Sequence, residues 1–178
     1  MILRSAIACL APALLMGCLT APAPDDPSLL RNPTVSLAII SRGGAEAMQG
    51  EWKVRASSPP YRDIQSLTFN TNANPLHTVE FMHASCDADG NCEELSDAWL
   101  AEPLAQNRWR LTAQTTDAEM EMWVIWIDEG YRTAALGSPD SDMAFIVDRK
   151  PSGGADRMTA ASEVLEFNGY NMAAFETR

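Results

Sequence analysis

The residues of this chain whose types and spacing best suit chemistry are Cys86 and Cys92, separated by Asp87-Ala88-Asp89-Gly90-Asn91. Two chemistries compete for that spacing. Asp and Asn oxygens around a glycine could wrap a hard cation, but a calcium loop of the usual kind needs glycine sixth and an acidic group twelfth. Counted from Asp87, those places hold Cys92 and Ala98. The same residues make a tight turn that brings the two chain arms together, so in an oxidising compartment the natural product is a hairpin-spanning disulfide. His77 and His83 share one face of a predicted strand. At about 3.3 Å per residue they stand roughly 20 Å apart, too far to chelate one metal, and they read as ordinary sheet residues. No nucleophile, base and orienting group show a spacing that suggests a catalytic site, and no cofactor or metal is expected.

A third cysteine points to modification. Residues 1–17 carry one positive charge at Arg4, an apolar run from Ala6 to Met16, and then Gly17. That run is too short for a hydrocarbon layer needing about 20 apolar residues, so it reads as a secretory signal. Leu15-Met16-Gly17-Cys18 matches the bacterial lipobox, in which the cysteine is acylated and becomes the new first residue; the alternative is an ordinary signal that happens to carry Cys18. Cys9 leaves with the signal. Several acyl chains, at about 0.8 kcal/mol per buried methylene, hold a protein firmly on a membrane. Leu19 stands where a retention signal would place Asp, and the likeness to sorted lipoproteins implies the outer membrane, facing the periplasm. Residues 18–34 contain four prolines and read as a semi-rigid tether to a domain spanning 35–178.

Of 178 residues, removal of 17 leaves 161, enough for one domain with a substantial core. Without Arg4, 12 basic residues face 24 acidic ones, a formal charge of −12. Nucleic acid is thereby disfavoured as a partner, because phosphate neutralisation needs clustered Lys and Arg.

The elements that must position these groups are strands. Apolar clusters alternate with turn residues from Val35 onward at intervals that suit an all-β barrel or sandwich. Gly50 to Ala56 alternates apolar and charged side chains as an opening strand would. Further strands are predicted at Ile64–Asn70, Thr78–Ala84, Ala98–Glu102 and Asn107–Ala113. Residues 121–149 read as three short strands joined by turns at Asp128-Glu129-Gly130 and Ser138-Pro139-Asp140. Arg157–Phe167 carries apolar groups at Met158, Ala161, Val164, Leu165 and Phe167, followed by the Asn168-Gly169 stop, and predicts one amphipathic helix. In the aromatic strand, Met120, Met122, Val124 and Trp126 share one face and Trp123, Ile125 and Ile127 the other. Period two does not tell which face looks inward. The methionine and tryptophan face is the candidate ligand lining, since methionine makes an adaptable apolar wall, and the competing reading has both faces simply packed.

Two motifs carry a family resemblance. The strand rich in Trp and Ile runs into Asp128 and Tyr131, followed by a hairpin and a strand ending in Arg149; Gly50-x-Trp52 opens the first strand. In both respects the chain resembles the lipocalins, and among them the bacterial outer-membrane lipocalins. The resemblance implies an eight-stranded antiparallel up-and-down barrel with one carboxy-terminal helix outside. It also implies that the Trp52 indole crosses the closed end with Arg149 stacked over it. Lys53-Val54-Arg55-Ala56 departs from the Tyr-Glu-Ile that commonly follows Gly-x-Trp in bacterial lipocalins. The implied function is a membrane-anchored container for small amphiphilic lipids such as fatty acids or lysophospholipids, acting as a monomer or weak dimer and not as an enzyme. The alternative is an unliganded envelope lipoprotein that binds a protein partner.

Overall fold

A computed structural model describes residues 30–71, 77–87, 89–140 and 142–178; the Cys86 side chain and the predicted signal, including Cys18, lie outside them. The chain order is α1 (Ala45–Met48), β1 (Gly50–Ser57), β2 (Ile64–Asn70), β3 (His77–Cys86), β4 (Cys92–Ala105), β5 (Arg108–Ala113), β6 (Glu119–Ile127), β7 (Thr133–Gly137), β8 (Ala144–Asp148), α2 (Ala155–Phe167) and β9 (Glu176–Thr177). Strands β1 to β8 pair antiparallel with their chain neighbours, and β8 pairs with β1, which closes an eight-stranded up-and-down barrel with no free lateral edge. The first half of β1 pairs with β2. Its end turns away, and β9 fills the vacated edge opposite Ala56 and Ser57.

Alternation along the strands separates two clusters. Trp52, Leu67, Phe69, Phe81, Trp109, Leu111, Phe145 and Val147 belong to the inner one, and Ala56, Ile125, Ala135 and Ile146 to the outer one under α2. Helix α2 buries Ala161 and Leu165, one turn apart, while Phe167 is 81% exposed and takes no part in the apolar face expected of it. Two residues beyond Leu165, at about 100° per residue, Phe167 points away from the barrel. The helix ends as Tyr170 N–H donates to Leu165 O, with Gly169 at φ +87°.

Leu30 to Thr34, which the sequence reading places in the tether, are held on the domain. Asn32 N–H donates to Gly169 O, Asn171 N–H donates to Leu30 O, and Arg31 lies over the Tyr170 ring. β4 is also much longer than the expected Ala98–Glu102, because its first half pairs with β3 beyond the barrel wall, where exposed residues from Cys92 to Asp97 show no apolar alternation to read.

Candidate functional site

The barrel interior and its two ends are built from different materials. At one end the short helix α1 lays the fully buried Met48 beneath Trp52, whose Nε1–H donates to Met48 O at 2.7 Å. The Arg149 guanidinium stacks on the other side of the indole, 3.7 Å from the ring centroid. It donates from Nη1 to Glu51 O and from Nη2 to Ala47 O, so one planar group pins both β1 and α1. Burial holds its pKa below the ordinary arginine value. Gly50 permits this contact at φ +90°, a conformation that strains residues with a Cβ. Asn107, left-handed in the two-residue turn between β4 and β5, completes the seal by donating to Ile40 O and Arg42 O.

Asp128 and Tyr131 organise the adjacent turn. Asp128 accepts from the N–H groups of Gly130, Arg132 and Thr133 and from the Arg132 side chain. Burial works to raise its pKa, but these donors outweigh burial and hold it below the usual carboxylate value. Tyr131 is exposed at φ +53°, so its role lies in the turn backbone. Asp148, fully buried next to Arg149, accepts from Thr133 Oγ1 and from Arg157 of α2. Burial is again outweighed, and the Asp148 pKa is lowered. Arg157 fastens the helix to the barrel, a role for which its sequence neighbourhood holds no signal.

The interior between the ends is a continuous apolar cluster that includes Met120, Met122, Val124 and Met143. Trp126 does not join the other three lining candidates. The β6–β7 register shifts between Val124 and Trp126, so Ile125 is an extra residue on the ladder and alternation restarts out of phase. Ile125 and Trp126 consecutively face outward beneath α2, and Ile127 takes the inward place.

The second end is closed by aromatic side chains. Tyr61, in the 3-10 turn Pro59–Tyr61, meets Phe145 edge-on at 5.5 Å, and its hydroxyl lies 3.6 Å from Met120 Sδ. Phe81 bridges Phe145 and Trp99. Ser58 anchors this cover, donating from Oγ to Asp142 O and accepting from Ala144 N–H. Ser57, opposite the inward-facing Phe145, shares its face; its Oγ is buried within the apolar interior with no hydrogen-bond partner. Tyr61 and Ser57 escaped the sequence reading because they lie at and beyond the end of a strand, where period two stops informing.

The turn after β3 is its own ligand. Asp87 accepts from Asp89 N–H, Asn91 N–H and the Asn91 amide, so its carboxylate is occupied within the hairpin. Cys86 and Cys92 are direct cross-strand partners in the backbone register. Among the described residues no group of three His, Cys, Asp or Glu is placed to hold a metal, and no helix is long and apolar enough to cross a membrane.

The family model for the lipocalin-like domain matches residues 45–178. Among solved structures, lobster apocrustacyanin A1 is similar with a TM-score of 0.55 at 14% identity, covering 74% of this chain and 77% of that one. H1 crustacyanin from the lobster Homarus americanus is similar with a TM-score of 0.54 at 13% identity, covering 78% of each chain. At these identities the likeness is one of fold. No curated protein matches by sequence.

Proposed function

The chain belongs to the lipocalin-like domain family, whose barrels typically bind small hydrophobic ligands, and from that premise we propose that this protein takes an acyl-chain amphiphile into its barrel through the end covered by Tyr61. One observation carries the reading. The interior wall is apolar and rich in methionine, yet Ser57 sets an unpartnered hydroxyl into it beside the covered end. A buried hydroxyl without a partner is costly, and a ligand's polar head lying there relieves the cost. The apolar interior takes the chain, and the unbranched side chains of Met120, Met122 and Met143 adjust around it. Entry requires Tyr61 to swing off Phe145 and Met120.

The anchoring and location belong to the same proposal. Acylation of Cys18 would tether the barrel to the outer membrane on its periplasmic face, the Pro-rich segment would set the domain off the bilayer, and a Cys86–Cys92 disulfide would brace the hairpin. The protein acts as a binder, as a monomer or weak dimer. Labelled palmitate should enter the wild-type protein in its host and not the Cys18→Ala variant.

A specific observation favours a second reading, an unliganded scaffold: the interior side chains pack against one another in a single cluster. Titration of delipidated protein with a fluorescent fatty acid separates the two. The container predicts saturable binding of one chain inside the barrel, identified by its loss of affinity in Ser57→Ala. Failure to bind any acyl chain, together with a bare mass in native mass spectrometry of protein from its own host, leaves the scaffold.

A further inference from the structure

We propose that the outer wall carries a second binding site, for the anionic head of an alkyl amphiphile, centred on Arg55 and separate from the barrel interior. The site begins with an irregularity in β1. The register against β8 shifts between Val54 and Ala56, so Arg55 is an extra residue, and it and Ala56 both face outward. The bulge puts Arg55 beneath the start of α2, where the residue is only 9% exposed.

The Arg55 guanidinium is poorly satisfied for so buried a cation. Nη1 donates to Gly153 O at 3.2 Å and to Lys150 O at 3.4 Å, both long, and Nε has no partner. No carboxylate among the described residues pairs with it, whereas Arg157 and Arg132 nearby each have an aspartate. Enclosing a charge without a counter-charge costs free energy that the fold does not recover from its own groups. The missing partner is an anion.

The surroundings indicate which anion. Gly154 caps α2 without a side chain, so the N–H groups of the first turn lack a capping oxygen, and the positive end of a 13-residue helix adds to the Arg55 charge. From that end a groove of about 510 Å³ runs along α2, with Arg55, Gly153 and Ala155 at its head and Met158 and Met172 on its walls. Glu163 and Glu166 stand towards the far end, about 12 and 17 Å from Ala155 at 1.5 Å per residue. Arg178 lines the rim, its guanidinium donating to Arg62 O and Ile64 O. A cationic head, an apolar middle and an acidic tail admit a carboxylate or phosphate carrying an alkyl chain in one direction only. Repulsion by the two glutamates excludes the reverse.

Dodecyl phosphate and dodecanoate, added below their micellar concentrations, test the site by NMR of the Arg55 side-chain N–H and the Ala155 and Arg157 amides. Saturable shifts are expected with both, and none with dodecyltrimethylammonium. Arg55→Gln is expected to weaken binding by roughly tenfold or more, the cost of a lost charged hydrogen bond. Thr159→Trp, at an exposed position on the groove wall, should produce the same loss without touching the buried arginine. The proposal is overturned if the anionic amphiphiles leave these signals unmoved, if both variants bind as wild type does, or if inorganic phosphate alone binds as tightly as dodecyl phosphate. Ligand entry into the barrel is read separately, from the Ser57→Ala effect, so either site can fail alone.

Discussion

The guanidinium carbon of Arg149 sits over the Trp52 indole, 3.7 Å from the ring centroid, joining residues 97 positions apart. With its two hydrogen bonds to β1 and α1, this contact closes one end of the barrel. Arg149→Lys keeps the charge but loses the planar fork and the stacking, and should cost about 1–2 kcal/mol; Arg149→Ala should cost about 2–4 kcal/mol. Denaturant unfolding of Arg149→Ala, Trp52→Phe and the double variant checks it. Additive effects would refute coupling between the pair.

Asp148 ties β8, β7 and α2 together through Thr133 and Arg157. Its carboxyl, like that of Asp128, has a pKa below the ordinary value when folded. The unfolded chain then binds protons at higher pH than the folded one, so this contribution is complete above about pH 4, the unfolded value, and is lost as pH falls through the folded value. Asp148→Asn should flatten the acid limb of a plot of unfolding midpoint against pH. Asp148→Ala, which leaves Arg157 unpaired, should cost on the order of 3 kcal/mol at neutral pH. An unchanged acid limb in Asp148→Asn would discount the linkage.

Tyr170 is buried, and its hydroxyl donates to Ser138 O and accepts from Ser138 N–H. Burial pushes its pKa up to about 12. Because the folded value is raised, the stabilisation is complete below the unfolded value, about pH 10, and is lost as pH rises through about 12. Ultraviolet titration of phenolate should show one of the three tyrosines lagging until the fold opens, and Tyr170→Phe should remove that lag. Gly137→Ala should disturb the same contact, since an added Cβ would clash with the Tyr170 hydroxyl.

Ser57→Ala and Tyr61→Ala separate lining from cover. Removing an unpartnered buried hydroxyl should leave the free protein unchanged or more stable by up to about 1 kcal/mol, while weakening ligand binding. If ligand enters past Tyr61, as proposed, Tyr61→Ala should chiefly speed fatty-acid association in stopped-flow fluorescence. A slower association would place the entrance elsewhere.

Cys86 and Cys92, opposite each other in the β3–β4 register, should resist alkylation until reduced. Loss of so short a crosslink, in Cys86→Ser with Cys92→Ser, should lower stability by about 2 kcal/mol at most. Ready alkylation of both thiols in the unreduced protein would exclude the bond.

Much of the fold was legible because half-buried strands advertise their period. The strand expected at Ile64–Asn70 has those bounds, and the three-strand meander from 121 to 149 appears as β6, β7 and β8. The helix expected from Arg157 starts two residues earlier, at Ala155, since Gly154 rather than a polar cap precedes it. The short α1 and β9 carried too few residues to show any period.

The candidate site was less legible. Met120, Met122 and Val124 line the interior, but an extra residue at Ile125 reverses the side of everything after it. A bulge is invisible to a count by twos, since its cause lies in the partner strand. The same device in β1 turns Arg55 outward.

By itself the sequence determined what local chemistry dictates: strand alternation, turns at Asp, Asn, Gly and Pro, one outer helix, the acidic balance, and the two motifs that point to a lipocalin barrel. Only the tertiary structure decided which side chains share a space. Barrel closure joins β8 to β1, and register shifts depend on pairing between strands, so the meeting of Arg149 with Trp52, of Tyr61 with Phe145, and of Arg55 with the start of α2 is set by long-range geometry that no single segment encodes.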